Sequence, residues 1–396
     1  DGTGRMSTTM TGSARMNAVQ SPVIPDVAAL LRECPDAISL GQGVVHYGPP
    51  PQVFEAVSKF GRQPTEHHYR DAAGTADLHS ELARKLSQEN GIDVDPETQA
   101  IFVTAGSNMA FYHIVLCLCD PGDEVVVMSP FYFNHEMAIT MANARVVVAA
   151  TDSQYGLQPD AVEAVLSPRP RAVVTISPNN PSGAVYDAKA LRQINDMCRQ
   201  RGIVHISDEA YEYFTYDDVQ HTSPASFRDS AEHTVSLFSF SKSYALANWR
   251  VGYMVAPRWL LRGLQKSQDT ILICPPVVSQ HAAVGALAAG RAYCQPFIDE
   301  LGRVRSMALD HLAPLGERCT VPTADGAFYL LARIDTDVAP MTLVERLVRE
   351  HGVAAIPGSG FGLDGCYLRI AYGALHGDTV AAGMERLVNG LQTILA

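Results

Sequence analysis

From about residue 100 the chain alternates short apolar runs with stretches of helical periodicity. Residues 100–104 read as a strand and 107–118 as a helix, and the Pro121-Gly122-Asp123 turn leads into a strand at 124–128. Further strands are expected at 145–149, 172–176, 204–207 and 235–238, with helical patterns between them. These are unbroken Val/Ile-rich runs, the pattern of strands covered by helices on both faces. Strands separated by helices imply right-handed crossovers and a mainly parallel sheet. Ligands of such sheets bind beyond the C-terminal strand ends, so the residues just past each strand carry the most information. After about residue 282 the pattern changes to a long amphipathic helix at 295–313, a strand at 327–334, a helix at 341–350, a strand at 367–371 and a helix at 378–394. The expected fold class is α/β. A large domain at 50–285, its mainly parallel sheet covered by helices, is joined to a smaller α+β domain at 286–396. Residues 16–49 are expected to contribute to the smaller domain and 1–15 to form a tail.

The 396 residues are 47% hydrophobic and 18% charged, which suits a soluble enzyme and excludes a disordered or fibrous chain. Thirty Lys plus Arg against 42 Asp plus Glu leave a net charge of −12. With no long basic run, neither nucleic acid nor an anionic membrane is an expected partner. The apolar stretches at 113–119 and 282–289 fall far short of the roughly 18 residues that cross a bilayer. The N-terminal Asp1-Gly-Thr-Gly-Arg-Met6 has no apolar core of a secretory signal; its first five residues read as a cloning remnant, with Met6 or Met16 as the native start. Eight cysteines are scattered without a CxxC pair. They are expected to be reduced thiols of a cytoplasmic protein, with neither a disulfide framework nor a metal site.

Four segments carry candidate chemistry, each just past an expected strand. In Ser239-Phe-Ser241-Lys242, with Arg250 eight residues on, two hydroxyls and a guanidinium near one lysine suit a phosphorylated cofactor beside a reactive amine; the plainer reading is a solvated lysine. In Ser207-Asp208-Glu209-Ala-Tyr211, Asp208 ends a buried strand. A carboxylate is expensive there unless it meets a cation, although a helix cap would also explain it. Asn179-Asn180-Pro-Ser-Gly183 alone is a turn signal. Gly106-Ser107-Asn108 places backbone N–H groups at a helix start, where a phosphate can bind. A fifth candidate, Arg369 in Tyr367-Leu-Arg369-Ile370, is a charge within an apolar strand; it needs an anion, and its fork fits a carboxylate. Gly358-Ser-Gly-Phe-Gly362 lacks dinucleotide-loop spacing and reads as a turn.

In this order the segments resemble the class I/II aminotransferases of the aspartate aminotransferase superfamily, pyridoxal-phosphate enzymes of fold type I. The resemblance runs from about Ile38 to Arg369. It implies that Lys242 is the Schiff-base lysine and proton shuttle, and that Asp208 faces the pyridine nitrogen. It further implies that Asn180 and Tyr211 bind the ring oxygen, and that Gly106, Ser107, Asn108, Ser239 and Arg250 form the phosphate cup. Tyr132 takes the place of the ring-stacking aromatic. Tyr69 takes that of a tyrosine reaching the phosphate of a second subunit, which implies a homodimer with composite sites. Arg369 matches the arginine that binds the substrate α-carboxylate; Gly43, in Gly41-Gln-Gly43, matches the loop that closes over it, and Asn180 borders the substrate.

The resemblance implies a ping-pong exchange between an amino acid and a 2-oxo acid. Dicarboxylate-preferring relatives often carry a second arginine before the Asn/Cys-Pro-Pro segment. Here Ser267–Pro276 has no Arg or Lys, and Ile271, Ile273 and Tyr47 suggest room for a neutral or aromatic side chain. Leu40-Gly-Gln-Gly43 and Cys274-Pro…Ser279-Gln280 look most like the kynurenine/glutamine/methionine aminotransferase branch, although His46-Tyr47 departs from its usual Pro-Asp-Phe. The alternatives are an aspartate aminotransferase or a C–S β-lyase on the same scaffold. A cofactor-binding regulatory module is disfavoured by the absence of a helix-turn-helix segment before residue 30, and a nicotinamide dehydrogenase by the missing fingerprint.

Overall fold

The computed structural model describes residues 12–322 and 324–396, so most of the expected tail at 1–15 lies outside the described residues. Seven strands build the larger sheet: β1 (Gln99–Thr104), β2 (Glu124–Ser129), β3 (Arg145–Ala150), β4 (Pro170–Ile176), β5 (Val204–Asp208), β6 (Thr234–Ser239) and β7 (Gly252–Pro257). Their spatial order is β1-β7-β6-β5-β4-β2-β3. All neighbours run parallel except at β7, which is antiparallel to both β1 and β6. The Val/Ile runs of β2, β4, β5 and β6 are buried, as their continuous apolar pattern requires. Edge strand β3 is wetter, with Val148 42% exposed.

Helices cover both faces, and their ends are set by local chemistry. Asp187 accepts from the backbone N–H groups of Lys189 and Ala190 to start helix Ala188–Arg201, which stops at Gly202 in the left-handed region.

The second sheet is antiparallel, in the order β10-β11-β9-β8, formed from β8 (Cys319–Thr320), β9 (Tyr329–Ile334), β10 (Ile356–Pro357) and β11 (Tyr367–Ala371). Ile38–Ser39 pairs in parallel with Val353–Ala354, and the Ala371 N–H donates to the Leu40 carbonyl at 2.7 Å. The N-terminal segment is thereby stitched to β11, the strand that carries Arg369.

Two boundaries differ from the pattern. Helix Arg291–Leu312 begins four residues early and contains Pro296, whose ring masks the preceding turn in any reading of periodicity. Strand β9 starts two residues late, because Ala327 has φ 53°, outside strand geometry. No helix among the described residues is long and apolar enough to cross a membrane.

Candidate active site

The sheet topology assembles the site. Strands β4, β5 and β6 are parallel neighbours, so Asn180, Asp208 and Ser239 emerge side by side at one sheet edge. Strand β7 runs the other way, and its first residue, Gly252, pairs with both Ser239 and Thr104. Reversing this one strand brings Arg250, just before it, to the edge where the other strands end. The helix starting at Ser107 opens onto the same place. Together these ends line a pocket with about 500 Å³ of atom-free space, part of it open to solvent.

One end of the pocket is an anion cup of Ser107, Asn108, Ser239, Ser241 and the exposed Arg250. Gly106 has φ 85°, and a Cβ there would sit 2.3 Å from Nη2 of Arg250. Only a glycine lets that guanidinium lie against the helix start, where free N–H groups favour negative charge.

Elsewhere in the pocket Asp208, 5% exposed, accepts from the Ala210 N–H at 3.1 Å and lies 3.0 Å from Nε2 of His135. His135 is itself held by stacking on Phe111 at 3.9 Å between centroids. A buried carboxylate held at this place suits a cationic heterocycle.

Lys242 lines the same pocket, half-buried, its Nζ donating to the Gly43 carbonyl. Burial pushes the amine down to about 8; Arg369 and Arg250 push the same way and Asp208 opposes them. Tyr132 and Tyr211 also line the pocket. Burial is the main cause raising both phenols, and Tyr329 raises Tyr211 further, so both are proton donors at neutral pH. The Tyr211 hydroxyl lies 3.4 Å from Nδ2 of Asn180 and 2.7 Å from the Tyr329 hydroxyl.

Arg369 is 2% exposed. It donates to Oδ1 of Asn180 at 3.0 Å and to the Gly41 carbonyl at 2.9 Å, while its Nε has no partner. No carboxylate forms an ion pair with it among the described residues. A buried guanidinium served by two neutral oxygens is poised for an anion.

An amine, a buried carboxylate and an anion cup within one pocket fit pyridoxal phosphate, which carries an aldehyde, a basic ring nitrogen and a phosphate. The residues brought together are Lys242, Asp208, Tyr211, Asn180, Tyr132, Ser107, Asn108, Ser239 and Arg250, with Gly106, Gly43 and Arg369 against them. Tyr47 and Tyr69 are not among the residues lining this pocket. The Tyr47 ring stacks on Phe297 at 4.0 Å and its hydroxyl donates to the Ser243 carbonyl at 3.0 Å. A buried phenol settles where its O–H finds an acceptor. Tyr69 is 77% exposed, and Ile271 and Ile273 are 45% and 38% exposed, facing out of this chain rather than into its pocket.

Sequence reasoning missed His135 and Tyr329, and named Ser241 only as a hydroxyl near Lys242. His135 follows Tyr132 by three residues at the start of helix Phe133–Met141, a spacing that puts both on one side. Tyr329 lies in an apolar strand with no polar pattern to mark it.

A sequence profile described as aminotransferase class I and II matches residues 35–387. The chain is 34% identical to an aromatic aminotransferase of Arabidopsis thaliana, covering 97% of each protein. It is 32% identical to an aspartate aminotransferase of Pyrococcus abyssi, over 91% of this chain and 92% of that one. A solved structure of a Thermus thermophilus aspartate aminotransferase variant superposes with a TM-score of 0.89 at 29% identity, covering 96% of this chain and all of the other.

Proposed function

The chain belongs to the class I and II aminotransferases, pyridoxal-phosphate-dependent enzymes, and from that premise we propose that it moves the amino group of a neutral or aromatic L-amino acid to a 2-oxo acid by ping-pong half-reactions in this one pocket. The observation that carries the reading is Arg369, a buried charge without a counter-ion among the described residues, close enough to the amine of Lys242 to push its titration down. Its fork binds the substrate α-carboxylate in place of the Gly41 carbonyl and holds Cα toward Lys242.

Pyridoxal phosphate, when bound, supplies an aldehyde that condenses with amines and a protonated ring that accepts the electron pair left when Cα–H breaks. Arg250, Ser239 and the helix start at Ser107 hold the phosphate. Asp208, oriented by His135, keeps a proton on the ring nitrogen. Tyr211 and Asn180 would serve the ring oxygen as donors, and Tyr132 would offer the ring an aromatic neighbour. With its amine pushed down to about 8, Lys242 has an appreciable neutral fraction near neutral pH, and its Nζ takes the Cα proton.

The side-chain preference rests on charge accounting. Lys242 and Arg250 line the pocket and Arg369 reaches its Asn180 wall. Each has a task in the scheme above, and none is left for a side-chain carboxylate. The likeness to an aromatic aminotransferase supports the same preference, as does the resemblance of the 40–43 and 274–280 segments to the kynurenine/glutamine/methionine branch. Relatives named as aminotransferases favour transfer over β-elimination. The exposed Tyr69 and the solvent-facing Arg250 support a homodimer in which Tyr69 of a second copy completes the phosphate cup.

The test mixes the cofactor-loaded enzyme with single amino acids without an oxo acid. Neutral and aromatic amino acids should bleach the visible cofactor band, and a 2-oxo acid should restore it. Bleaching by aspartate alone would overturn the side-chain preference; ammonia and pyruvate released without an acceptor would overturn aminotransfer.

A further inference from the structure

Tyr329 is fully buried at the start of β9 and pairs in register with Ala371 of β11, while Arg369 pairs with Leu331. Tyr329 and Arg369 are therefore diagonal neighbours on one sheet face, a separation that an aromatic ring spans. The Arg369 guanidinium carbon lies 4.7 Å from the centre of the Tyr329 ring, within cation–π range.

The hydroxyl of Tyr329 reaches the other way, to that of Tyr211 at 2.7 Å. A tyrosine hydroxyl has one proton and two acceptor positions. Asn180 Nδ2, 3.4 Å from Tyr211, can only donate. With Tyr329 also donating, the acceptor positions of Tyr211 are filled and its proton is left for the pocket. In the opposite arrangement that proton is spent on Tyr329 and the pocket receives no donor. Tyr211 lines the pocket and Tyr329 does not, so Tyr329 acts from behind. The Gly41–Gly43 loop closes over it: a Cβ on Gly43 would lie 2.8 Å from the Tyr329 hydroxyl and 3.9 Å from Nζ of Lys242.

We propose that Tyr329 is a positioning residue of this site, its hydroxyl orienting Tyr211 as a donor into the pocket and its ring carrying Arg369. This rests on the aminotransferase reading and deepens it, linking the grip on the cofactor ring to the grip on the substrate carboxylate through one side chain. The other titratable or charged groups facing Tyr211 and Lys242 are Tyr132, Asp208 with His135, Arg250 and Arg369, and the variants below leave all of them in place.

Two variants separate the hydroxyl from the ring. In Tyr329→Phe the midpoint of the bound cofactor's absorbance titration should rise by about half to one pH unit, because Tyr211 loses the donor behind it and stabilises the ring oxygen's charge less. KM values for amino acids should move less than about threefold. In Tyr329→Leu the midpoint should rise equally, and KM should increase roughly tenfold for amino acids of every side-chain class as Arg369 loses its support. An unmoved midpoint in the Phe variant, which keeps the packing, overturns the role of the hydroxyl. A Leu variant with unchanged KM, or with a loss confined to one side-chain class, overturns the role of the ring. Wild-type protein that binds no pyridoxal phosphate would sink the aminotransferase reading itself, and this proposal with it; a normal wild-type titration beside an unmoved Phe variant sinks the proposal alone.

Discussion

Replacing Arg369 with leucine removes the charge while retaining much of the apolar contact with Tyr329 and Phe361, whose ring centres lie 4.7 and 5.3 Å from the guanidinium carbon. A charge-assisted hydrogen bond contributes about 1.5–3 kcal/mol, and a fork holding a carboxylate makes two. Part of that gain is offset, because the contacts with Asn180 Oδ1 and the Gly41 carbonyl are exchanged for those with substrate. A net loss of about 3–4 kcal/mol in transition-state binding corresponds to roughly 10²- to 10³-fold in kcat/KM. The assay is the single-turnover bleaching of the cofactor band by several amino acids and by amines lacking the carboxylate. All amino acids should slow together, and the amines should react with variant and wild type alike. Folding is monitored by the melting temperature, since the variant also relieves the cost of an uncompensated buried charge. If the amines slowed as much as the amino acids, or one amino acid alone were affected, Arg369 would not be the carboxylate anchor.

Asp208→Ala should lower kcat by about 10³-fold while the phosphate cup still retains cofactor; near-normal turnover in the loaded variant would contradict its placement at the ring nitrogen. Gly106→Ala forces a Cβ to 2.3 Å from the Arg250 guanidinium at φ 85°. It should raise the Kd for pyridoxal phosphate at least about tenfold, read by fluorescence titration, and an unchanged Kd would remove Arg250 from the cup. Cofactor-free protein should show the burial cost of Lys242 in its pH dependence. The amine titrates at about 8 folded and near its ordinary 10.5 unfolded, so between those values the unfolded chain binds more protons and stability rises with pH. The cost, on the order of 3 kcal/mol, is full below about pH 8 and gone above about 10.5. Denaturant unfolding of wild type and Lys242→Met should therefore converge or cross over that window, whereas parallel curves would show that the amine is not desolvated.

What the sequence disclosed follows from where its chemistry sits along the chain. Strands β4, β5 and β6 are continuous apolar runs, and a polar residue just past such a run stands out: Asn180, Asp208 and Lys242 were legible for that reason. Arg369 was legible because a charge interrupts an apolar strand. Tyr329 gave no such contrast, since a tyrosine in Phe-Tyr-Leu-Leu differs from a core residue only by a hydroxyl whose partner, Tyr211, is 118 residues away. His135 was hidden in the same manner, since it lies on a helix and its partner Asp208 at the end of β5. Tyr47 was chosen for its position along the chain, and its contacts with the Ser243 carbonyl and the Phe297 ring had no signal in the pattern. Pairings across long stretches of chain depend on packing that periodicity does not encode.

The arrangement of charge explains why so much of this site is held by backbone. Lys242, Arg250 and Arg369 converge where Asp208 is the only carboxylate lining the pocket among the described residues, and each of the three donates to a backbone carbonyl: Gly43 for Lys242, Ala247 for Arg250, Gly41 for Arg369. Neutral acceptors stabilise a buried cation less than an anion does, so the buried Arg369 is the cation that gains most from a carboxylate. Two of the three carbonyls belong to one loop, Gly41–Gly43, which is tied to β11 through Leu40. The strand that carries Arg369 and the loop beside Lys242 are therefore held together, which places recognition of a carboxylate next to the amine.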